Sequence, residues 1–281
     1  MNSKDFCKMF LRFWRSDNKN TALIRDIVVA LLAVLVVLLL LWSYTGQWFT
    51  APIVAIESGS MEHANSPFGR LGTIDAGDMV LVQKVHTRSD VNVHGGILGG
   101  AQAKDCCKTY GDYGDVIIYL PDGNIKETPI IHRAMCWVDV EFIDGICYYT
   151  IEEFGIYQET SLGSIPELGL DKVKNDDSPN WLHSGFLTKG DNNDLFDNLP
   201  NGGILKSTQP IKIEWITGKA REEIPWFGTI NLFFSDIMNG SNNVGNVHED
   251  CIISLGIVIA ILVSIPIFFD VKDYIKQKKE E

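Results

Sequence analysis

The sequence predicts a mainly β domain held between two membrane-spanning helices. Three observations predict it. Two uninterrupted apolar runs lie near the ends of the chain, short β-branched runs bounded by Gly, Asp, Asn and Pro fill the space between them, and no long amphipathic helical pattern breaks that series. The bulk composition agrees: 281 residues, 46% hydrophobic and 21% charged, with a net charge of −12, exclude a collagen, a disordered tail, a basic nucleic-acid-coating protein and a disulfide-dense mini-scaffold.

Residues 1–26 hold six cations, Lys4, Lys8, Arg12, Arg15, Lys19 and Arg25, and are read as a cytoplasmic basic segment. Within it, FCKMFLRFWR interleaves aromatics with cations, a pattern that suits either the inner headgroup layer or a solvated arm. From Ile27 to Trp42 the chain carries no polar side chain. At about 1.5 Å per residue, roughly 20 residues cross the hydrocarbon core, so residues 27–47 are predicted to be a transmembrane helix; the apolar region of a cleaved signal peptide is shorter. The second run, Ile252 to Phe269, is interrupted only by Ser254, Gly256, Ser264 and Pro266, all tolerated within lipid, and predicts a second span over residues 251–269. The tail, 270–281, adds Lys272, Lys276, Lys278 and Lys279. Positive flanks stay inside, which puts both termini in the cytoplasm and residues 48–250 on the outer side.

That outer part has 29 acidic against 14 basic side chains, a balance that repels anionic polymers, so no nucleic-acid partner is expected. Strands are predicted at PIVAIE, DMVLVQKV, DVIIYL, PIIHRAMCWVDVEFI, ICYYTIEEF, GFLTKG and IKIEWI. Residues 86–113 and 158–182, each with several Gly or Pro, read as loops or insertions. Asp144-Gly145 signals a two-residue hairpin turn that places Phe142 opposite Cys147, which makes Cys136 with Cys147 a poor disulfide pair. An outer location permits disulfides among Cys106, Cys107, Cys136 and Cys147 without dictating one. Vicinal Cys106-Cys107 lacks zinc-ligand spacing, so no metal is expected. Asn239-Gly240-Ser241 is an N-glycosylation triplet.

Four local strings bear on chemistry. Ser58-Gly59-Ser60-Met61 follows a strand just beyond the first apolar run, where Gly allows a turn tight enough to expose a hydroxyl. Ile130-Ile131-His132-Arg133 sets a histidine within an apolar strand, a pattern that also describes an ordinary core histidine. Lys189-Gly190-Asp191-Asn192-Asn193, with Asp197 beyond it, is an acid-rich loop. Gly77-Asp78 and Gly114-Asp115 each precede a strand and read equally as turns.

In this order, SGSM at 58–61, GDMVLV at 77–82, GDVIIY at 114–119, IIHR at 130–133 and TKGDNN at 188–193, beside an N-terminal anchor, resemble the type I signal peptidase family. A histidine at position 132, where most bacterial members carry lysine, resembles the archaeal and endoplasmic-reticulum branch. The resemblance implies a signal-peptidase-like β-rich catalytic domain in which Ser60 is the nucleophile, His132 its general base, Asp197 the acid that orients His132, and Asp191 a supporting residue. It further implies an oxyanion hole from the Ser58 hydroxyl and the Ser60 backbone N–H, and shallow pockets for small substrate residues, with Val54, Ile56 and Met61 as lining candidates. The implied activity is removal of N-terminal signal peptides from exported preproteins after small residues (A-x-A sites), without a cofactor. The implied setting is an archaeal-type plasma membrane, with the catalytic domain on the outer face, membrane lipid around it and the protein-export channel nearby. The chain departs from the family in having His63 where proline is usual and in the length of its insertions.

Two other readings differ in class. A catalytically silent member, or a membrane receptor with an outer β domain, shows no turnover at any pH, whereas a histidine-dependent enzyme loses activity as imidazole protonates in acid. A Ser-Lys protease of the self-cleaving repressor type shares the β fold, but His132, two spans and the lack of a DNA-binding module argue against it.

Overall fold

The computed structural model describes residues 14, 18–48, 50–63, 70–95, 108–160, 180–199 and 204–280. The chain divides into two compact units, Met1–Pro52 and Ile53–Glu281. Most of the basic segment 1–26, the pair Cys106-Cys107 and the larger part of the stretch 158–182 lie outside the described residues.

The first unit holds helix α1, Lys19–Thr45. It starts well before the apolar run because Asn18 caps it, accepting the Asn20 N–H at 3.0 Å, and it ends where Gly46 turns left-handed. In the second unit the strands are β1 Ile53–Ala55, β2 Met79–Gln83, β3 Lys108–Thr109, β4 Asp112–Tyr113, β5 Val116–Tyr119, β6 Ile130–Ile143, β7 Ile146–Ile151, β8 Ile156–Glu159, β9 Gly185–Lys189 and β10 Ile216–Ile224. Two helices follow, α2 at Gly228–Asn239 and α3 at Glu249–Glu280. Helices α1 and α3 are both long and apolar enough to cross a membrane. Helix α3 runs past the predicted end at residue 269, since DVKDYIKQKKE is made largely of residues that sustain a helix.

Eight strands form one antiparallel sheet in the order β1-β2-β10-β5-β6-β7-β8, with β9 also paired to β6; β3 and β4 make a separate hairpin. Central strand β5 explains why its sequence is apolar throughout rather than alternating. Val116 and Ile118 pack with Ile56, Met61 and Val80, while Ile117 and Tyr119 pack on the other side with Ala134, Trp137 and Phe186. A third cluster gathers Trp181, Tyr149, Leu187 and Phe196 over the far half of β6. The β6–β7 turn has positive φ at both Asp144 and Gly145, and the register sets Phe142 opposite Cys147, as the dipeptide predicts. Cys136 and Cys147 are free thiols.

Two expectations are corrected. The run IKIEWI is not a strand: Ile213–Trp215 forms a 3-10 turn, and the strand is the charged segment that follows it, ITGKAREEI. Its charges are no bar to burial because Lys219 reaches Asp115 at 2.9 Å inside the sheet. The other correction concerns residues 86–113, which are not wholly loop. They contain a 3-10 turn at Arg88–Asp90 and the β3–β4 hairpin.

Candidate active site

Successive residues of a strand point to opposite faces, and β6 uses this to separate two acid partners. His132, on one face, brings Nδ1 to 2.6 Å from the Oδ2 of Asp197. Arg133, on the other, donates from Nε to the Oδ1 of Asp191 at 2.8 Å and from Nη2 to its second oxygen, a bidentate clasp. His132, Arg133 and Asp197 are all buried. A carboxylate only accepts, so Nδ1 carries the proton and Nε2 is left as an acceptor on the side away from Asp197.

The Oδ2 of Asp197 takes two further donors, Tyr119 Oη at 2.8 Å and Thr188 Oγ1 at 2.6 Å. Burial, reinforced by the Asp197 charge, pushes ionisation of the Tyr119 hydroxyl well above its ordinary range, so it remains a donor. The second oxygen of Asp197 is buried and makes no hydrogen bond among the described residues. Three donors thus converge on a single oxygen, which holds the carboxylate in one orientation behind the imidazole.

The loop carrying Ser60 is tied down from two sides. The backbone N–H of Asn192 donates to the Ser60 carbonyl at 2.9 Å, and the Asn192 amide donates to the Gly59 carbonyl at 3.0 Å. From the other direction, Glu62 meets His248 Nε2 at 2.9 Å and Arg70 at 3.5 Å, while Arg70 also pairs with Asp75 at 3.0 Å. Gly190 is the packing centre of this arrangement: a Cβ there would stand 2.6 Å from the Ser60 carbonyl oxygen and 2.9 Å from His132 Nε2. His63 Nε2 lies 2.9 Å from the Oδ2 of Asp191, so His63 adds a partner to the Arg133–Asp191 pair.

Ser60 and His132 both line one pocket of about 710 Å³. Its walls include Ser58, β1 from Ile53 to Ala55, Ile56, Ile118, Ile130 and Ile131, and on one side Asn231, Leu232 and Ser235 of α2. Strand β1 ends the sheet order, so its second edge has no strand neighbour among the described residues. The Ser60 hydroxyl lies 3.3 Å from that of Ser58, and no hydrogen bond joins Ser60 to His132.

The structure therefore brings Ser58, Ser60, His132, Val54 and Ile56 to the pocket and sets Asp197 directly behind His132. Asp191 stands apart on the Arg133 face. Met61 does not line the pocket; it is buried in the cluster with Ile56 and Ile74, because the residue after the half-buried Ser60 turns back into the core. The two Gly-Asp pairs are anchors. Gly77 and Gly114 take positive φ, and the aspartates that follow bind backbone: Asp78 accepts the N–H groups of Asp75 and Trp226 at 2.9 and 2.8 Å, and Asp115 accepts that of Asn92 at 2.9 Å. Sequence reading missed Arg133, Tyr119, Thr188, Gly190 and Asn192 as parts of this machinery. Only Arg133 carried a signal, its adjacency to His132 on a strand. No protein-family model matches the chain, and no curated protein matches it.

Proposed function

We propose that the chain is a membrane-bound serine endopeptidase of the type I signal peptidase kind, removing N-terminal signal peptides from exported preproteins after small residues. The observation that supports this reading best is the buried Asp197–His132 pair, whose imidazole opens into the pocket that Ser60 also lines. In this reading His132 Nε2 takes the Ser60 proton as Oγ attacks the scissile carbonyl, Asp197 stabilises the resulting imidazolium, and His132 returns the proton to the leaving amine. The Ser58 hydroxyl and Ser60 N–H receive the oxyanion. An extended preprotein segment lies along the open edge of β1, with its small side chains against Val54 and Ile56. These side chains suffice for the chemistry, with no metal or organic cofactor.

The basic flanks of α1 and α3 support cytoplasmic termini and an outward catalytic domain in an archaeal-type plasma membrane, where the export channel delivers the substrate. A second reading, an outer β domain that only binds its partner, is favoured by one observation: the Ser60 hydroxyl faces Ser58 rather than His132. Cleavage of a preprotein with an Ala-x-Ala site by the reconstituted full chain decides between them. Cutting after the small residue by wild type, abolished in Ser60→Ala and His132→Ala, supports the peptidase. Binding of the preprotein without cleavage by wild type overturns it.

A further inference from the structure

The tripeptide Asn246-Val247-His248, which leads directly into α3, grips the Ser58–Ser60 loop on both of its flanks. Upstream of the loop, the Asn246 amide donates to the Glu57 carbonyl at 2.9 Å. Downstream, His248 Nε2 meets the Glu62 carboxylate at 2.9 Å. The other ring nitrogen sets the direction of that bond. Nδ1 lies 3.4 Å from Arg70 Nη2, and a guanidinium only donates, so Nδ1 accepts and the Nε2 proton goes to Glu62. Between the two grips Val247 is buried with Leu232 and Cys251, and a Cβ on Gly77 would stand 2.8 Å from its Cγ1. The His248 carbonyl in turn accepts the N–H groups of Cys251 at 3.1 Å and Ile252 at 3.2 Å, so the tripeptide moves only with the first turn of α3.

Glu62 carries this hold to the serine. Its N–H donates to the Gly59 carbonyl at 3.2 Å, and its carboxylate fills the space of a Gly59 side chain: a Cβ there would stand 2.7 Å from Oε1. A shift of the carboxylate is therefore a shift of the turn that bears Ser60. An exposed ion pair would hold little, but the Glu62 side chain is only 13% exposed and also meets Arg70, which is fixed by Asp75. We propose that Asn246 and His248 are positioning residues that register the Ser58–Ser60 loop against the head of α3, so that the placement of Ser60 relative to His132 depends on the second apolar helix as well as on the sheet. The catalytic consequence rests on the peptidase reading; the hold on the loop does not.

The test compares wild type with Asn246→Ala, His248→Ala and His248→Gln in the full chain reconstituted in phosphatidylcholine–phosphatidylglycerol vesicles. Gln keeps a donor for Glu62 and an acceptor for Arg70, so it is the rescue variant. The first readout is hydrogen exchange at the Glu62 and Asn192 amides, which donate to the Gly59 and Ser60 carbonyls, with the β6–β7 hairpin as reference. The second is kcat and KM on an Ala-x-Ala preprotein. Exchange at both amides should rise several-fold in the two alanine variants, with the hairpin unchanged and His248→Gln near wild type. In the alanine variants kcat should fall about 10- to 100-fold with KM within about twofold of wild type. A wild type that cuts no preprotein removes the peptidase reading, and the exchange pattern alone then decides the hold on the loop. Unchanged exchange in the alanine variants, a rise shared equally by the hairpin, a His248→Gln variant as impaired as His248→Ala, or a loss carried by KM would overturn the proposal.

Discussion

Replacing Asp197 by Asn perturbs the site at one atom. The side-chain oxygen must stay at the Oδ2 position to meet three donors, which drives the new NH2 group into the place of Oδ1, a buried position with no hydrogen-bond partner among the described residues. A buried donor left unpaired costs about 1 to 3 kcal/mol of stability. Loss of the negative charge removes the stabilisation of the imidazolium, and any rotation that turns NH2 toward Nδ1 selects the tautomer that cannot accept from Ser60. Together these predict a fall in kcat of about 1000-fold, or about 4 kcal/mol. Asp191→Asn is the contrast. It breaks the clasp on the buried Arg133 guanidinium, so it should cost about 3 kcal/mol of stability while leaving kcat per folded molecule within about tenfold of wild type. The assay is single-turnover cleavage of an Ala-x-Ala preprotein by the reconstituted chain, corrected for folded fraction by thermal unfolding. The division of labour read from the two faces of β6 is refuted if Asp191→Asn abolishes turnover with an unchanged Tm, or if Asp197→Asn retains more than about a tenth of wild-type kcat.

Three further outcomes follow from particular contacts. Gly190→Ala drives a methyl against Ser60 and His132 Nε2, and should lower kcat by more than about 100-fold in the same assay, with about 2 kcal/mol lost in thermal unfolding. Tyr119→Phe withdraws one of three donors from Asp197; kcat is expected to drop about 5-fold, close to 1 kcal/mol, with KM unchanged, and a KM effect of equal size would contradict a role behind the imidazole. Glu223, partly buried, has its carboxyl pushed up to about 7 by desolvation, so the folded protein retains a proton that an exposed glutamate releases near pH 4. The stability it contributes is complete below about pH 4 and lost as pH rises through about 7. Glu223→Gln should flatten the fall in Tm between about pH 5 and 8.5 by an amount equivalent to about 1 kcal/mol, after discounting for its exposure; an unchanged slope would show that the carboxylate is not the cause.

Much of the sheet was legible because its strands are β-branched runs cut by turn residues whose chemistry is local. The Asp144-Gly145 hairpin even set a register, since both residues accept positive φ. Strand β10 was hidden because Lys219, Arg221, Glu222 and Glu223 read as solvated, whereas the pairing of Lys219 with Asp115 depends on a residue brought in by the fold. Helix α2 escaped for another reason. Its Phe and Ile residues suit strand or helix equally, and the twelve residues from Gly228 to Asn239 give a short periodic signal. At the site, strand alternation alone implies that His132 and Arg133 take different partners. That Asp197 serves the first and Asp191 the second required the path of the 190–197 loop. Tyr119 and Thr188 looked like core residues because, apart from one hydroxyl each, that is what they are.

The hydrogen bonds that position Ser60 and His132 reach far along the chain. Gly59 is joined to Asn192 across 133 positions, His132 to Asp197 across 65, and Glu57 to Asn246 across 189. Contacts of such separation close late in folding, after the β6–β7 hairpin and other local pairings. A growing chain thus carries Ser60 long before it carries the residues that meet it, and on the peptidase reading proposed above competence would arrive only as synthesis and folding finish. On that reading the order would act as a built-in safeguard for a protease that shares the export route of the proteins it trims. Refolding followed by an active-site-directed serine label should accordingly lag the recovery of β-sheet signal, and simultaneous recovery of the two would remove the safeguard.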